Sequence, residues 1–140
     1  DLVTAGSLGI TVFTPVLGGG TSSALAFTVT AVNPVPVLSK ISPTNVRRGG
    51  SAFTLTVTGS NFVPASVVQW NGSSRSTTFV SATGLTARIP ASDLAVGGPL
   101  SITVFTPAPG GGASAAMTLT VTPPTGPSLS AQRLVPLAAP

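Results

Sequence analysis

The chain has 140 residues, of which 42% are hydrophobic and 6% charged, and its formal net charge is +4. It contains no His and no Cys, which excludes a histidine general base, Ser/His and Cys/His nucleophiles, disulfides and thiolate metal sites. The basic residues form no cluster larger than Arg47-Arg48, and no apolar run approaches about 18 residues, so we expect neither nucleic-acid binding nor a membrane span.

The first 32 residues predict two strands joined by a loop. Apolar residues alternate along both strands, which is typical of strands with one buried face. Gly18–Gly20, and Gly110–Gly112 later in the chain, predict flexible hairpin loops, because a phosphate loop would continue with Lys-Ser/Thr into a helix. An isolated hairpin would expose its apolar side, so we name it as a candidate surface for self-association; its residues are Leu8, Ile10, Val12, Leu25, Phe27 and Val29.

A proline-rich linker follows, from Asn33 to Pro36, and leads into short strands separated by turn residues. Asn71-Gly72 predicts a type I′ turn, with Thr77–Ser81 as the return strand, and Ala91–Val96 predicts one helical turn. The seven predicted strands favour an all-β sandwich. They cover residues 37–42, 53–58, 67–70, 77–81, 85–89, 100–105 and 117–122.

Alternation within these strands predicts the core of the sandwich, with threonines on the solvent side. Trp70 belongs to this core by its alternation with Val68, although a sugar-stacking role is the other interpretation. The predicted core residues are Phe53, Leu55, Val57, Val68, Trp70, Leu85, Ile89, Leu100, Ile102, Val104, Leu119 and Val121.

Residues 1–30 and 93–122 are a repeat without gaps at an offset of 92, with 18 identical residues in 30. The repeat predicts three segments. Residues 1–32 are the C-terminal strand pair of a preceding unit, residues 33–124 are one complete unit, and residues 125–140 are a linker or the first strand of a following unit. Either upstream residues or another copy of the chain would complete the first unit.

Several segments together resemble an IPT/TIG domain. Ile41-Ser42-Pro43 and Gly59-Ser60-Asn61-Phe62 resemble the opening of such a domain, and residues 68–72 resemble its third strand and turn. Residues 85–90 and 102–112 resemble its closing half. The resemblance implies an immunoglobulin-like β-sandwich of about seven strands in tandem, without catalytic residues. The Thr-rich, charge-poor sequence is similar to the secreted bacterial members, which implies an extracellular or cell-surface location.

Few residues are candidates for binding. Arg47, Arg48, Asn71 and Arg75 are predicted in loops, where they are either interaction residues or solvated loop residues. Asp1 and Asp93 occupy equivalent repeat positions, and we interpret them as turn or helix caps. No cofactor, metal or catalytic site is expected.

The leading hypothesis is a non-catalytic structural module of an extracellular bacterial stalk, fibre or filament, with strand complementation between copies as one mode of assembly. Its partners would be other copies or neighbouring repeats. The alternatives are an adhesin module for polysaccharide or a protein, with a binding site formed by loops 46–50, 71–76 and 107–112 at one end of the sandwich, or an accessory domain of a larger secreted enzyme.

Overall fold

A computed structural model describes residues 4–126, which comprise a β-hairpin followed by a β-sandwich. The only helical element in this part of the chain is a 3-10 helix, Ala91–Leu94. The strands in chain order are β1 (Gly6–Ile10), β2 (Phe13–Thr14), β3 (Gly20–Thr21), β4 (Leu25–Val29), β5 (Val37–Ser42), β6 (Asn45–Arg47), β7 (Phe53–Ser60), β8 (Val67–Trp70), β9 (Ser73–Ser74), β10 (Thr77–Ser81), β11 (Gly84–Ile89), β12 (Gly98–Thr106), β13 (Gly112–Ala113) and β14 (Met117–Thr122).

The sandwich consists of two sheets that enclose one core. The first sheet has the order β10-β11-β7-β5, and all of its pairs are antiparallel. The second has the order β6-β14-β12-β8-β9, with β13 paired to β12; its β14-β6 pair is parallel and the others are antiparallel. The strand pattern predicts such a sandwich, and the arrangement is of the immunoglobulin-like kind that the family resemblance implies.

The predicted alternation of buried and exposed residues is confirmed in the central strands. Along β7, Leu55 and Val57 are buried whereas Thr54, Thr56 and Thr58 are exposed. Trp70 is 4% exposed and meets the ring of Phe53 edge-on, with ring centroids 6.4 Å apart, so it is a core residue. Two predicted core residues, Phe53 and Leu100, are only partly buried and pack against the core from its margin.

Five further residues belong to the core although they were not among the predicted core residues. Leu38 and Ile41 lie three residues apart on β5, whose register shifts between Leu38 and Lys40, so simple alternation does not select both. Phe62 follows the end of β7, where Asn61 has a positive φ of 63° that turns the ring back over the sheet. The complete set of additional residues is Leu38, Ile41, Phe62, Ala87 and Leu94.

The prediction that Thr77–Ser81 returns alongside β8 was wrong. The Asn71-Gly72 turn does have positive φ at both residues, but the strand that pairs with β8 is the short β9. The chain then crosses between sheets at Arg75–Ser76: Arg75 N donates to Val68 O in the second sheet, and Ser76 O accepts from Arg88 N in the first. Thr77–Ser81 therefore forms β10, an edge strand of the first sheet.

The N-terminal hairpin has the same strand register as the hairpin formed by β12 and β14. Gly6 lies opposite Val29 and Ile10 opposite Leu25, while Gly98 lies opposite Val121 and Ile102 opposite Met117. Every pair of one hairpin becomes a pair of the other when 92 is added to its residue numbers, and the same holds for β2-β3 and the β12-β13 pairing.

Side-chain hydrogen bonds are also shared by the two hairpins. Ser22 Oγ accepts from Val12 N at 2.9 Å, and Ser114 Oγ accepts from Val104 N at 3.0 Å. In each case the serine hydroxyl donates to the carbonyl of the next residue, Ser23 or Ala115. Residues 6–29 therefore have the same local fold as residues 98–121, although no other strands of the described chain form a sandwich around them.

Candidate interaction surfaces

The described residues offer little catalytic or metal-binding chemistry. No group of three or more His, Cys, Asp or Glu residues is close enough to hold a metal ion anywhere in residues 4–126. In the same range there is no helix long and apolar enough to cross a membrane. The remaining candidates for function are surfaces: the four predicted loop residues, the ends of the sandwich and the N-terminal hairpin.

Arg75 and Asp93 form an ion pair that joins the segment after β9 to the 3-10 helix. Arg75 Nε lies 2.5 Å from Asp93 Oδ2, and Arg75 Nη2 donates to Asp93 Oδ1 at 2.9 Å. The two side chains are 20% and 14% exposed. Arg75 also donates to the carbonyl oxygens of Ser73 and Ser74. All of these bonds tie loops of the sandwich together.

The prediction that Asp93 acts as a cap was wrong. The residue that precedes the 3-10 helix is Pro90, and no side chain caps its N-terminus. The carboxylate of Asp93 binds Arg75 because the chain crossing at Arg75–Ser76 brings that guanidinium beside the helix. Asp1, the equivalent aspartate of the repeat, lies outside the described residues.

Arg48 lines a groove at one end of the sandwich. Arg47, which was predicted in a loop, is instead the exposed last residue of β6, and Asn71 is exposed in the turn between β8 and β9. Arg48 Nε donates to Ala95 O, and its backbone N donates to Thr122 O. The groove has a volume of about 560 Å³. Its lining consists of Arg48, Ala95, Val96, Gly97, Gly98, Thr120, Val121, Thr122 and Pro123.

The three loops that we grouped at one end of the sandwich lie at both ends. Loop 46–50 and loop 71–76 both contact the 3-10 helix segment, through the bond from Gly49 N to Leu94 O and through the Arg75–Asp93 pair. Loop 107–112 follows the other end of β12, nine residues from the groove residue Gly98. At about 3.3 Å per residue, these two ends are about 30 Å apart, so the three loops form no common site.

Loop 107–112 instead holds the linker, through Asn33. Asn33 N donates to Pro109 O at 2.7 Å, and Gly111 N donates to Asn33 O at 2.7 Å. The side chain adds a third bond, from Asn33 Nδ2 to Pro107 O at 2.8 Å. Composition predicts a semi-rigid linker here, but no pattern in the sequence identified Asn33 as its anchor, because its partners lie 74 or more residues away.

Gly110 makes this close approach of the linker possible. A Cβ at this position would lie 2.1 Å from Val32 Cγ1 and 2.6 Å from Asn33 O. The residue also has a φ of +71°, which favours glycine. The Gly-Gly-Gly run predicted to be a flexible loop is therefore a contact surface for the preceding segment.

The apolar side of the N-terminal hairpin is exposed, as expected for a hairpin on its own. Leu8 is 49% exposed, Ile10 55% and Phe27 47%. Their counterparts in the sandwich are largely or fully buried, and Ile102 and Leu119 are 0% exposed. None of the hairpin residues belongs to the core cluster of the described chain.

A comparison with known families supports the class that the fold defines. The family model for the IPT/TIG domain matches residues 36–127, which include the whole immunoglobulin-like sandwich. This match covers more than half of the chain, so the protein belongs to the IPT/TIG family. IPT/TIG domains are generally non-catalytic immunoglobulin-like modules, often used in adhesion or protein interaction. A comparison with curated proteins found no matching sequence.

Proposed function

We propose that the chain is a non-catalytic structural module of an extracellular bacterial stalk or fibre, in which IPT/TIG sandwiches follow one another through short, fixed junctions. The observation that carries this proposal is the anchoring of Asn33 by three hydrogen bonds to loop 107–112. A flexible tether would leave the backbone groups of this residue to water. Here they bind the following sandwich, and this limits the rotation of the segment that enters it.

The residues around Asn33 support a fixed junction. Pro34 and Pro36 restrict the backbone on the side of the sandwich, and Pro36 is buried. On the other side, Val32 approaches Gly110 so closely that no side chain fits between them. A short linker held at both its backbone groups and its side chain suits a rod that must keep its direction over many units.

The repeat supports a tandem arrangement. The hairpin of residues 6–29 has the register and the serine hydrogen bonds of the closing hairpin at residues 98–121. It precedes the junction directly, so Asn33 would connect the end of one sandwich to the start of the next. The uncharged Ser/Thr surface and the scarcity of ionisable groups are in keeping with a spacer rather than a site of chemistry.

A two-unit protein tests the spacer role. Residues 33–122 followed directly by residues 31–124 contain two complete units and keep the Thr-Ala-Val-Asn junction of this chain. We expect small-angle X-ray scattering to give a rod close to twice the length of one unit, and an Asn33→Ala change at the junction to broaden the distance distribution. A compact or freely jointed particle in the unaltered protein would contradict the proposal.

An adhesin for anionic polysaccharide is the second candidate, and the groove at Arg48 favours it. The groove combines a guanidinium with apolar surface, because Val96 is 74% exposed beside it. Binding of an anionic glycan that is lost in Arg48→Ala and kept in Arg47→Ala would support this role, and a glycan array without hits would argue against it.

The remaining alternative is an accessory domain of a larger secreted enzyme. The open reading frame around the chain would decide whether the module has that role.

A further inference from the structure

We infer that the apolar face of the hairpin at residues 6–29 is a docking surface for one kind of partner, namely a half-sandwich of the type formed here by residues 37–89 and situated N-terminal to the hairpin in the same polypeptide. This inference rests on the proposed tandem arrangement and names what completes the hairpin. The half-sandwich consists of β5 to β11, which in the complete unit cover the β12-β14 hairpin.

The apolar side chains define the shape of the partner. Ile10, Val12 and Phe27 correspond to Ile102, Val104 and Leu119, which are all 0% exposed in the complete unit. There they pack with residues of β5, β7, β8 and β11 in one core cluster. A partner that buries the hairpin in the same way must therefore present a second, facing sheet as well as a neighbouring strand.

An open strand edge identifies the position of the neighbouring strand. In the complete unit, β8 pairs with β12 from Ile102 to Phe105, and β12 is one continuous strand. The corresponding stretch of the hairpin, residues 10–13, has no such neighbour within the described chain, and regular strand structure is interrupted at residues 11 and 12 between β1 and β2. A strand equivalent to β8 would restore this continuity by main-chain pairing.

Two threonines specify polar groups on the partner. Thr103 donates to Gln69 Oε1 at 3.1 Å, and the fully buried Thr106 shares a 2.8 Å hydrogen bond with Ser66 Oγ. The hairpin has Thr11 and Thr14 at the equivalent positions. Thr106 is buried and needs its hydrogen-bond partner, so a half-sandwich that covers Thr14 in the same way must present a polar group where Ser66 stands. At the partly buried Thr103, Gln69 provides a second polar contact.

Counting the elements argues against the exchange of half-sandwiches between copies of the same chain. The described part of each chain has two closing hairpins, residues 6–29 and 98–121, and one half-sandwich, residues 37–89. If a half-sandwich covered the N-terminal hairpin of another copy, it would release its own β12-β14 hairpin, and the number of uncovered hairpins would not change. Exchange between copies therefore cannot cover every hairpin, which favours a half-sandwich supplied by a further unit of the repeat.

The repeat offers a direct test, because a second copy of residues 33–92 can be placed before Asp1 of the whole chain. Ser92 then precedes Asp1 as it precedes Asp93. We expect the amides of residues 10–13 to exchange at least about 100-fold more slowly in the extended protein than in the 140-residue chain. Binding of a hydrophobic dye should decrease, and the extended protein should be a monomer.

Two neighbouring substitutions in the extended protein provide a matched control. Phe27→Asp places a charge where the counterpart Leu119 is fully buried, and should remove the added protection of residues 10–13. Ala26→Asp places the same charge where the counterpart Thr118 is exposed, and should leave the protection unchanged. The unaltered sandwich at residues 33–124 in the same molecule reports that the protein is folded.

Two results would overturn the inference. In the first, residues 10–13 of the extended protein exchange as fast as in the original chain while the sandwich at residues 33–124 stays protected. In the second, the original chain is a dimer whose hairpin is already protected, so that a second copy covers it. The spacer role is tested on a protein without this hairpin, so it can fail or succeed independently.

Discussion

Arg75 and Asp93 are opposite charges in a chain where only 6% of residues are charged, and they meet at a partly buried position. The sequence suggested a solvent-facing arginine and a capping aspartate. Their pairing depends on the crossing of the chain between sheets at Arg75–Ser76, which brings residues 18 positions apart into contact. Because of the same crossing, the guanidinium of Arg75 binds Asp93 within the fold and does not face a ligand in solvent.

Arg75→Ala should lower the free energy of unfolding by about 1–3 kcal/mol, because Asp93 would keep a mostly buried carboxylate without its charged partner. Arg47→Ala is the matched control, since Arg47 is exposed; it should change the free energy by less than about 0.5 kcal/mol. Urea denaturation followed by the fluorescence of Trp70 measures both values. Equal effects of the two variants would mean that the ion pair contributes nothing measurable.

Loop 107–112 illustrates how a Gly-rich loop and a linker form one structural element. The loop's carbonyl and amide groups bind Asn33, and Gly110 leaves room for Val32. The equivalent loop in the N-terminal hairpin has Gly18 at the matching repeat position, with a φ of +91°, and a Cβ added there would meet no atom within 4 Å. The Gly-Gly-Gly run at residues 110–112 therefore contacts the linker, whereas the equivalent Gly18 has no neighbouring atom within reach of an added Cβ.

Gly110→Ala should disrupt the junction, because the new methyl group would collide with Val32 and with the backbone of Asn33. We expect faster amide exchange at Asn33 and Gly111 and a loss of about 1–3 kcal/mol in the stability of the sandwich. Gly18→Ala imposes a similar backbone cost without the collision. It should leave exchange at Asn33 unchanged, and a matching acceleration there would show that the collision is not the cause.

The described chain consists of a complete sandwich and a hairpin that shares no core with it. The sandwich buries fifteen apolar residues in one cluster, whereas the apolar face of the hairpin is exposed. The stability of the sandwich should therefore be independent of the hairpin, whose own stability depends on a covering partner.

Deletion of residues 1–30 should change the free energy of unfolding of the sandwich by less than about 1 kcal/mol. The deletion keeps Val32, Asn33 and therefore the contacts of the linker with loop 107–112. Trp70, the single tryptophan, is 4% exposed and reports the unfolding of the sandwich alone. A loss above about 2 kcal/mol would indicate that the hairpin stabilises the sandwich through contacts outside the core.

Local pattern was sufficient for much of the fold. Alternation of Thr with Val, Leu and Ile determined the strands and their buried faces in β7, β11, β12 and β14, because successive side chains of a strand point to opposite sides. The gapless repeat suggested that residues 1–30 form the same hairpin as residues 93–122, and the observed register agrees with it. The family resemblance of residues 36–122 is confirmed by the family match, which covers residues 36–127.

The tertiary structure decided what depends on residues distant in sequence. It placed β10 in the first sheet, turned Phe62 into the core, paired Arg75 with Asp93 and bound Asn33 to loop 107–112. None of these follows from periodicity, because each depends on where the chain crosses between sheets, on the positive φ of Asn61 or on a gap left by a glycine. The sequence alone determined which faces of the strands are apolar; only the packed structure decided which of those faces are covered, since covering requires a second sheet in the right place.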